Sequence, residues 1–297
     1  MELYGDLDHR QGQAYALNHL GFVQGLTGDY EASIASHQQS LALARDLGDR
    51  LAEIVALDYL GYAQQLTGDY AAAAGNLARS LELARGLGDR LAEAYALNDL
   101  GTLQTRTGDY PAAAANIRQA LELLRDLGDR PFQAWALNDL GMVDQLTGDY
   151  SAAAANHQQA LELFRDLGAR QGEAEALNNL GQLATRTSAT QQARGHHVQA
   201  LAIARDLGVP LEQARALEGI GDSHLQDGNP AEAASHLWQA LAIYQRIGAL
   251  AAQRVQQALH DHKLTSTTPQ PQPAAPNSEG HQTGGGQGTR PAGNAAE

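Results

Sequence analysis

The sequence predicts an all-α solenoid of antiparallel helix pairs. Three observations predict it. The first is a fixed period of 40 residues: Ala16-Leu17-Asn18-His19-Leu20-Gly21 returns as Ala96 to Gly101, Ala136 to Gly141 and Ala176 to Gly181. The second is punctuation, since Thr27-Gly28-Asp29-Tyr30 returns unchanged at 67, 107 and 147, and Leu47-Gly48-Asp49-Arg50 at 87 and 127. The third is composition: 43% of residues are apolar but only 5% aromatic, so the core is built mainly from Ala and Leu, good helix formers. A period of this size means stacked supersecondary units held by nearest-neighbour packing, which build long concave faces.

Each unit reads as two helices, and residues 89–129 show why. Asp89 caps the first helix by accepting from free N–H groups of its first turn. Ala94, Leu97, Leu100 and Gly101 then share one face. Thr107-Gly108-Asp109 breaks the helix, with Gly108 suited to a left-handed C-terminal position and Asp109 capping the next helix. Pro111 falls in that helix's first turn, where a missing N–H costs little. Ala113, Ile117, Ala120, Leu121 and Leu124 form the second apolar stripe, and Leu127-Gly128-Asp129 closes it.

Gly21, Gly61, Gly101, Gly141, Gly181 and Gly221 hold one equivalent mid-helix site, where Gly costs about 1 kcal/mol against Ala. Close approach of the partner helix is the expected reason, with the Ala at 73, 113, 153, 193 and 233 as the facing small surface. The repeated Arg50, Arg90, Arg130 and Arg170 are expected to form ion pairs at helix ends, with an acid four residues before (Asp46, Asp126, Asp166) or with Glu53, Glu93 or Glu173 three after. Asp46 and Asp49 recur at repeat boundaries as caps, not as an acid–base pair.

The ends depart from the period. Met1 to Arg10 aligns with the close of a second helix, so residues 1–10 read as a partial repeat or stub: a minimal cap, or a sign that the chain is a piece of something longer. Residues 11–248 hold six units. Ser188-Ala189-Thr190 replaces Gly-Asp-Tyr, and Val209-Pro210 replaces Asp-Arg. With its Gly and its capping Asp both lost, the turn at Ser188 is expected to differ from the others, so that Ser188→Gly changes stability little. Residues 249–263 read as a capping helix with Ala251, Val255 and Leu259 inward and Gln253, Arg254, Gln256 and Gln257 outward. Residues 265–297 lack apolar periodicity and read as a disordered tail.

The Leu-Gly of each first helix, a small residue 12 positions on, and Ser40, Ser80, Ala120, Ala160, Ala200 or Ala240 at 19 positions resemble the tetratricopeptide repeat. The length of 40 and the string LGDR-x-x-E-x-x-AL-x-x-LG are similar to its long-helix variant, found in Pins/LGN adaptors, kinesin light chains and AfsR-type bacterial regulators. The resemblance covers residues 1–248. It implies a right-handed α-solenoid with first helices lining the concave wall. It also implies that sites two, five and nine of each unit face the groove. Site five reads Asn18, Asp58, Asn98, Asn138, Asn178 and Glu218. Site two reads Tyr15, Val55, Tyr95, Trp135, Glu175 and Arg215. Site nine reads Phe22, Tyr62, Thr102, Met142, Gln182 and Asp222.

The candidate binding residues are therefore Tyr15, Asn18, Phe22, Asp58, Tyr62, Tyr95, Asn98, Arg106, Trp135, Asn138, Met142, Asn178 and Arg186. Asn offers donors and an acceptor to a peptide backbone, and amphipathic aromatics anchor binding surfaces. The competing reading is that the Asn ladder bonds across neighbouring helices and the aromatics belong to the core.

The remaining chemistry is sparse. With no cysteine, disulfides, thiolate nucleophiles and Cys-ligated metals are excluded. His196-His197 point apart on a helix and no His-Glu-x-x-His exists, so no metal is expected. Gly284-Gly285-Gly286-Gln287-Gly288 has no strand before it, and the one lysine, Lys263, is in no P-loop, so no cofactor is expected. Net charge is −14, against a nucleic-acid partner. No apolar run is long enough to span a membrane and no secretory signal is visible, so a cytoplasmic location is the default. Arg in place of Lys, with many Ala and Gly, hints at a GC-rich bacterial genome. The expected function is non-catalytic binding of a protein or peptide in the concave groove. The alternative is a detached regulatory array of an AfsR-type nucleotide- and DNA-binding regulator, and a distant third is an enzyme with an unfamiliar site. The sequence leaves the oligomeric state open.

Overall fold

The computed structural model describes residues 9–264. The sequence-predicted tail, 265–297, lies outside them, as does most of the 1–10 stub. Twelve helices form six antiparallel pairs: α1 Arg10–Thr27 with α2 Tyr30–Leu47, α3 Arg50–Thr67 with α4 Tyr70–Leu87, α5 Arg90–Thr107 with α6 Tyr110–Leu127, α7 Arg130–Thr147 with α8 Tyr150–Asp166, α9 Arg170–Arg186 with α10 Thr190–Leu207, and α11 Pro210–Gln226 with α12 Pro230–Arg246. A shorter helix, α13 (Ala251–Asp261), follows. Its Val255 and Leu259 are buried, Ala251 is half-buried, and Gln253, Arg254, Gln256 and Gln257 are exposed.

Local chemistry sets the boundaries. Asp29, Asp49, Asp69, Asp89, Asp109, Asp129 and Asp149 each accept a backbone N–H from the first turn of the helix they cap. Gly28, Gly68, Gly108 and Gly148 end first helices at φ between 86° and 90°. The following N–H reaches back to close the motif, as Asp29 N does to Gln24 O at 2.8 Å.

The first helices α1, α3, α5, α7, α9 and α11 each touch the next first helix, while the second helices make no comparable contact with one another. First helices are therefore crowded on the inside of the curve and second helices fan out on the outside. The inner wall is made of first helices.

Three expectations need correcting. The residue that fills the space beside each mid-helix glycine is the side chain 16 positions on. A Cβ at Gly21 would stand 2.7 Å from the His37 ring, at Gly61 2.7 Å from Leu77, and at Gly181 2.5 Å from His197. The Ala residues at 73, 113, 153, 193 and 233 are fully buried. At Gly101 and Gly221 the main chain of that alanine, Ala113 O or Ala233 O, is also among the atoms nearest an added Cβ. The glycine is there because a ring or branched side chain lies against the helix axis.

The repeated arginines, second, reach across to the paired helix of their own unit. Arg10 pairs with Asp46, Arg90 with Asp126, Arg130 with Asp166 and Arg170 with Asp206, at 3.0–3.4 Å. Only Arg50 keeps the short-range partner, Glu53 at 2.6 Å. The four Arg–Asp bridges are exposed on both sides, contribute little to stability, and tie the start of each first helix to the end of its own second helix.

Third, the turn at Ser188 is intact. Ser188 sits at φ 60°, and Ala189 N reaches Ala184 O at 2.8 Å as in the glycine turns. Ala189 has the N-cap backbone of Asp29 (φ −90°) but makes no side-chain cap. A left-handed Ser costs about 1–2 kcal/mol, and Gly returns about 0.4–1 kcal/mol through the unfolded chain. Ser188→Gly is therefore expected to stabilise by about 0.5 kcal/mol, and Ala189→Asp by about 0.5–2 kcal/mol. Denaturant melts check both: a midpoint unchanged by either substitution contradicts this account of the turn.

Candidate binding wall

The inner wall is organised by a relay that recurs along the first helices. His157 Nδ1 donates to Asn138 Oδ1 at 2.9 Å, and Asn138 Nδ2 donates to Glu175 Oε1 of the next unit at 3.2 Å. His197 Nδ1 bonds Asn178 Oδ1 at 3.1 Å, and Asn178 Nδ2 donates to Glu212 Oε2 at 2.8 Å. His37 bonds Asn18 in the same way at 3.1 Å. Asn98 Nδ2 donates to Asp139 Oδ2 at 2.8 Å, but Ile117 stands where the histidine would be and Asn98 Oδ1 is left without a partner. Asn18, Asn98, Asn138 and Asn178 are all buried. Asn98, Asn138 and Asn178 tie neighbouring units together through carboxylates of the next unit, while Asn18 bonds only His37 and its Nδ2 has no partner.

What the ladder delivers to the inner surface is a row of carboxylates. Asp58, Asp99, Asp139 and Glu175 are half-buried. None of them takes part in an ion pair among the described residues. Burial among the crowded first helices leaves their charge poorly hydrated and raises their pKa, and for Asp99 and Glu175 neighbouring carboxylates add to it. Asp58 is pushed up to about 7 by burial. Asp99 is raised well above the carboxylate range by burial, then by Asp58 and Asp139. Asp139 goes to about 6 and Glu175 to about 8, again by burial, with Glu212 adding to Glu175. Arg106, exposed, is near enough to draw Asp139 and Glu175 back.

The other predicted residues divide. Tyr15, Phe22 and Tyr62 keep exposed rings, and Met142 is half-buried. Tyr95 stacks on Phe132 with centroids 3.7 Å apart and donates to Asp129 at 2.7 Å. Trp135 packs edge-on against buried Phe164 at 4.8 Å. Tyr95 is thus engaged by the next unit and Trp135 by the paired helix of its own. Arg186 is exposed. Glu218, also at site five, is held by Arg254 and by the Tyr244 hydroxyl. Asp99, Asp139 and Glu212 were not among the predicted residues. The signal was present in Asn98-Asp99 and Asn138-Asp139, one position beyond the site that attracted attention.

The pH dependence follows from two opposed groups. Burial lowers His37 and His157 to about 4 and His197 to about 3. Their stabilisation is complete above the unfolded value of about 6.5 and is lost as pH falls toward 4. The carboxylates are raised, so their stabilisation is complete below about 4 and is lost as pH rises through the folded value. Between about pH 7.5 and 9 the histidines are neutral folded and unfolded, while Glu175 titrates and Asp58 completes its ionisation. Stability is therefore expected to fall over that window, by on the order of 1 kcal/mol once solvent screening is counted. Glu175→Gln should flatten the fall. Melting midpoints that stay level or rise from about pH 7.5 to 9 contradict this.

The tetratricopeptide repeat family matches residues 12–86, 92–166, 132–206 and 172–246. No curated protein matches the chain. Among solved structures, BtubC from P. vanneervenii is similar at 24% identity and a TM-score of 0.55, over 83% of this chain and 96% of that one. A Rap protein complexed with competence and sporulation factor is similar at 13% identity and a TM-score of 0.64, over 84% and 75%. A signal transduction ATPase with a tetratricopeptide repeat sensor from Pyrococcus horikoshii is similar at 14% identity and a TM-score of 0.55, over 86% of this chain and 42% of that one. At these identities the likeness is one of fold.

Proposed function

Because the chain belongs to the tetratricopeptide repeat family, we propose that it is a non-catalytic interaction scaffold whose inner wall takes an extended or helical segment of a partner protein. The row Asp58, Asp99, Asp139 and Glu175 carries this reading. Many carboxylates elsewhere cap helices or pair with arginines, whereas these four stand on successive first helices without an ion pair among the described residues. Tyr15, Phe22 and Tyr62 add apolar rings with accessible edges at the N-terminal end. Such a wall suits a segment with Arg or Lys side chains, whose charge repays the poor hydration of the carboxylates. Packed helices stand about 8–10 Å apart and an extended chain advances about 3.3 Å per residue. A basic residue at about every third position would meet successive carboxylates. The fold is compatible with holding a ligand, since the similar Rap protein was solved as a complex with competence and sporulation factor.

Panning a random linear peptide library against the protein tests the proposal. Enrichment of Arg or Lys at a spacing of about three residues is expected, with affinity lost by a factor of about ten in an Asp99→Asn, Asp139→Asn double variant. Enriched peptides without basic residues, or affinity indifferent to that variant, would contradict it.

A further inference from the structure

We propose that the array rests as a closed ring, and that its closing seam is a latch in front of the N-terminal part of the binding wall; the assignment of that wall as the binding surface rests on the function proposed above. The first and eleventh helices are 200 residues apart in sequence, yet α1 touches α11. Phe22 and Leu26 on α1, with Tyr59 and Tyr62 on α3, face Gln171 and Glu175 on α9 and Leu211 and Glu212 on α11. The crevice between them holds about 50 Å³. That is room for a few waters and not for a peptide. Small molecules still reach the wall, since the Phe22 and Tyr62 rings are exposed, but a chain cannot lie along it there.

The repeat register identifies what the seam buries. Leu47, Leu87, Leu127, Leu167 and Leu207 end successive second helices and are 38–51% exposed. Ile247, at the same register, is 5% exposed. A Cβ at Gly28 would meet its Cγ2 at 2.5 Å. The same Cβ would stand 3.4 Å from Pro210, and one at Gly68 would stand 3.0 Å from Leu250. Tyr30, beside Gly28, is 4% exposed, whereas its equivalent Tyr150 is 39% exposed. Composition agrees with geometry. Asp-Arg at 49–50, 89–90 and 129–130 becomes Val209-Pro210 and Ala249-Leu250 in the two places that meet the N-terminal turns. Polar boundary residues give way to apolar ones where the ring closes.

The seam also contains the means to open. Apolar contact at the latch is confined to a few side chains. The Tyr30 hydroxyl is buried without a hydrogen-bond partner, an arrangement that opening to water relieves. Burial, and then Glu212 across the seam, opposes its ionisation. A segment of a partner laid along the wall needs the seam parted, so occupancy and opening are one event.

The absence of cysteine makes a direct test possible. A single thiol is placed by Tyr62→Cys on the wall, or by Val198→Cys on an exposed outer position, and labelled with N-ethylmaleimide or with maleimide carried on a peptide of about a dozen residues. The ratio of bulky to small labelling rates is expected to be lower at 62 than at 198 by a factor of about ten. Ile247→Glu is expected to bring the two sites together, and Ile247→Ala to move partway. Far-UV circular dichroism reports whether each variant is folded, and Ile247→Ala decides alone if Ile247→Glu is not. Equal ratios at 62 and 198, or a ratio at 62 that no folded Ile247 variant changes, overturns the latch. No panned peptide enters this experiment, so failure of the latch and failure of the binding assignment remain separate results.

Discussion

Asn138→Ala is expected to lower the unfolding free energy by about 3 kcal/mol. Asn138 is fully buried. Its Oδ1 takes bonds from His157 Nδ1 and from Asn179 Nδ2 at 3.0 Å, and its Nδ2 serves Glu175. Removing it strands two buried donors, each costing about 1–3 kcal/mol. Asn98→Ala is the internal control. Its Oδ1 is already unpaired because Ile117 replaces the histidine, and it gives up a single bond, to Asp139. That substitution should cost about 1 kcal/mol. Chemical denaturation of both variants decides the matter. Equal losses would mean that the relay through His157 is not what holds these units together. From sequence alone, Asn138 invites substitution as a ligand contact with the helices left intact, but its burial makes it a stability residue first.

The second large effect is a change of sign. Gly219→Ala is expected to destabilise by about 1–3 kcal/mol, since the added methyl would enter the ring of His197, itself fully buried and flanked on its other side by Gly181. Gly195→Ala, on the outer helix α10, meets nothing within 4 Å. It should stabilise by about 1 kcal/mol through helix propensity. The same chemical change thus has opposite outcomes at two helical glycines. A destabilised Gly195→Ala, or a neutral Gly219→Ala, would show that propensity and close packing have been assigned to the wrong positions.

The fold was legible because its signals are local. Asp89 caps, Gly108 turns left-handed and Pro111 occupies a first turn for reasons contained within a few residues. The sequence could not show what depends on contacts 36 to 41 residues away. Arg90 was assigned to its own helix end but reaches Asp126. The glycine at 181 was assigned to a small facing residue but accommodates a histidine ring. The turn at Ser188 was misjudged because two lost signature residues outweighed the backbone hydrogen bonds, which any residue can make. The binding wall was half legible. Reading site five as groove-facing led to the first helices, which line the inside of the curve. It missed that Asn138 and Asn178 turn into the stack and leave the surface to the carboxylates they hold. Ring closure was written in Val209-Pro210, read only as a loss of register.

The central claim is that the inner wall of first helices, and not the outer fan of second helices, is the binding surface. Hydroxyl-radical footprinting of the protein with and without a peptide selected by panning tests this most directly, because oxidation reports side-chain exposure residue by residue. The account predicts that Tyr15, Phe22, Tyr62 and Met142 become protected on binding, while Tyr150 and Val198 react as before. Protection of Tyr150 or Val198, with Tyr62 and Met142 unchanged, would contradict it.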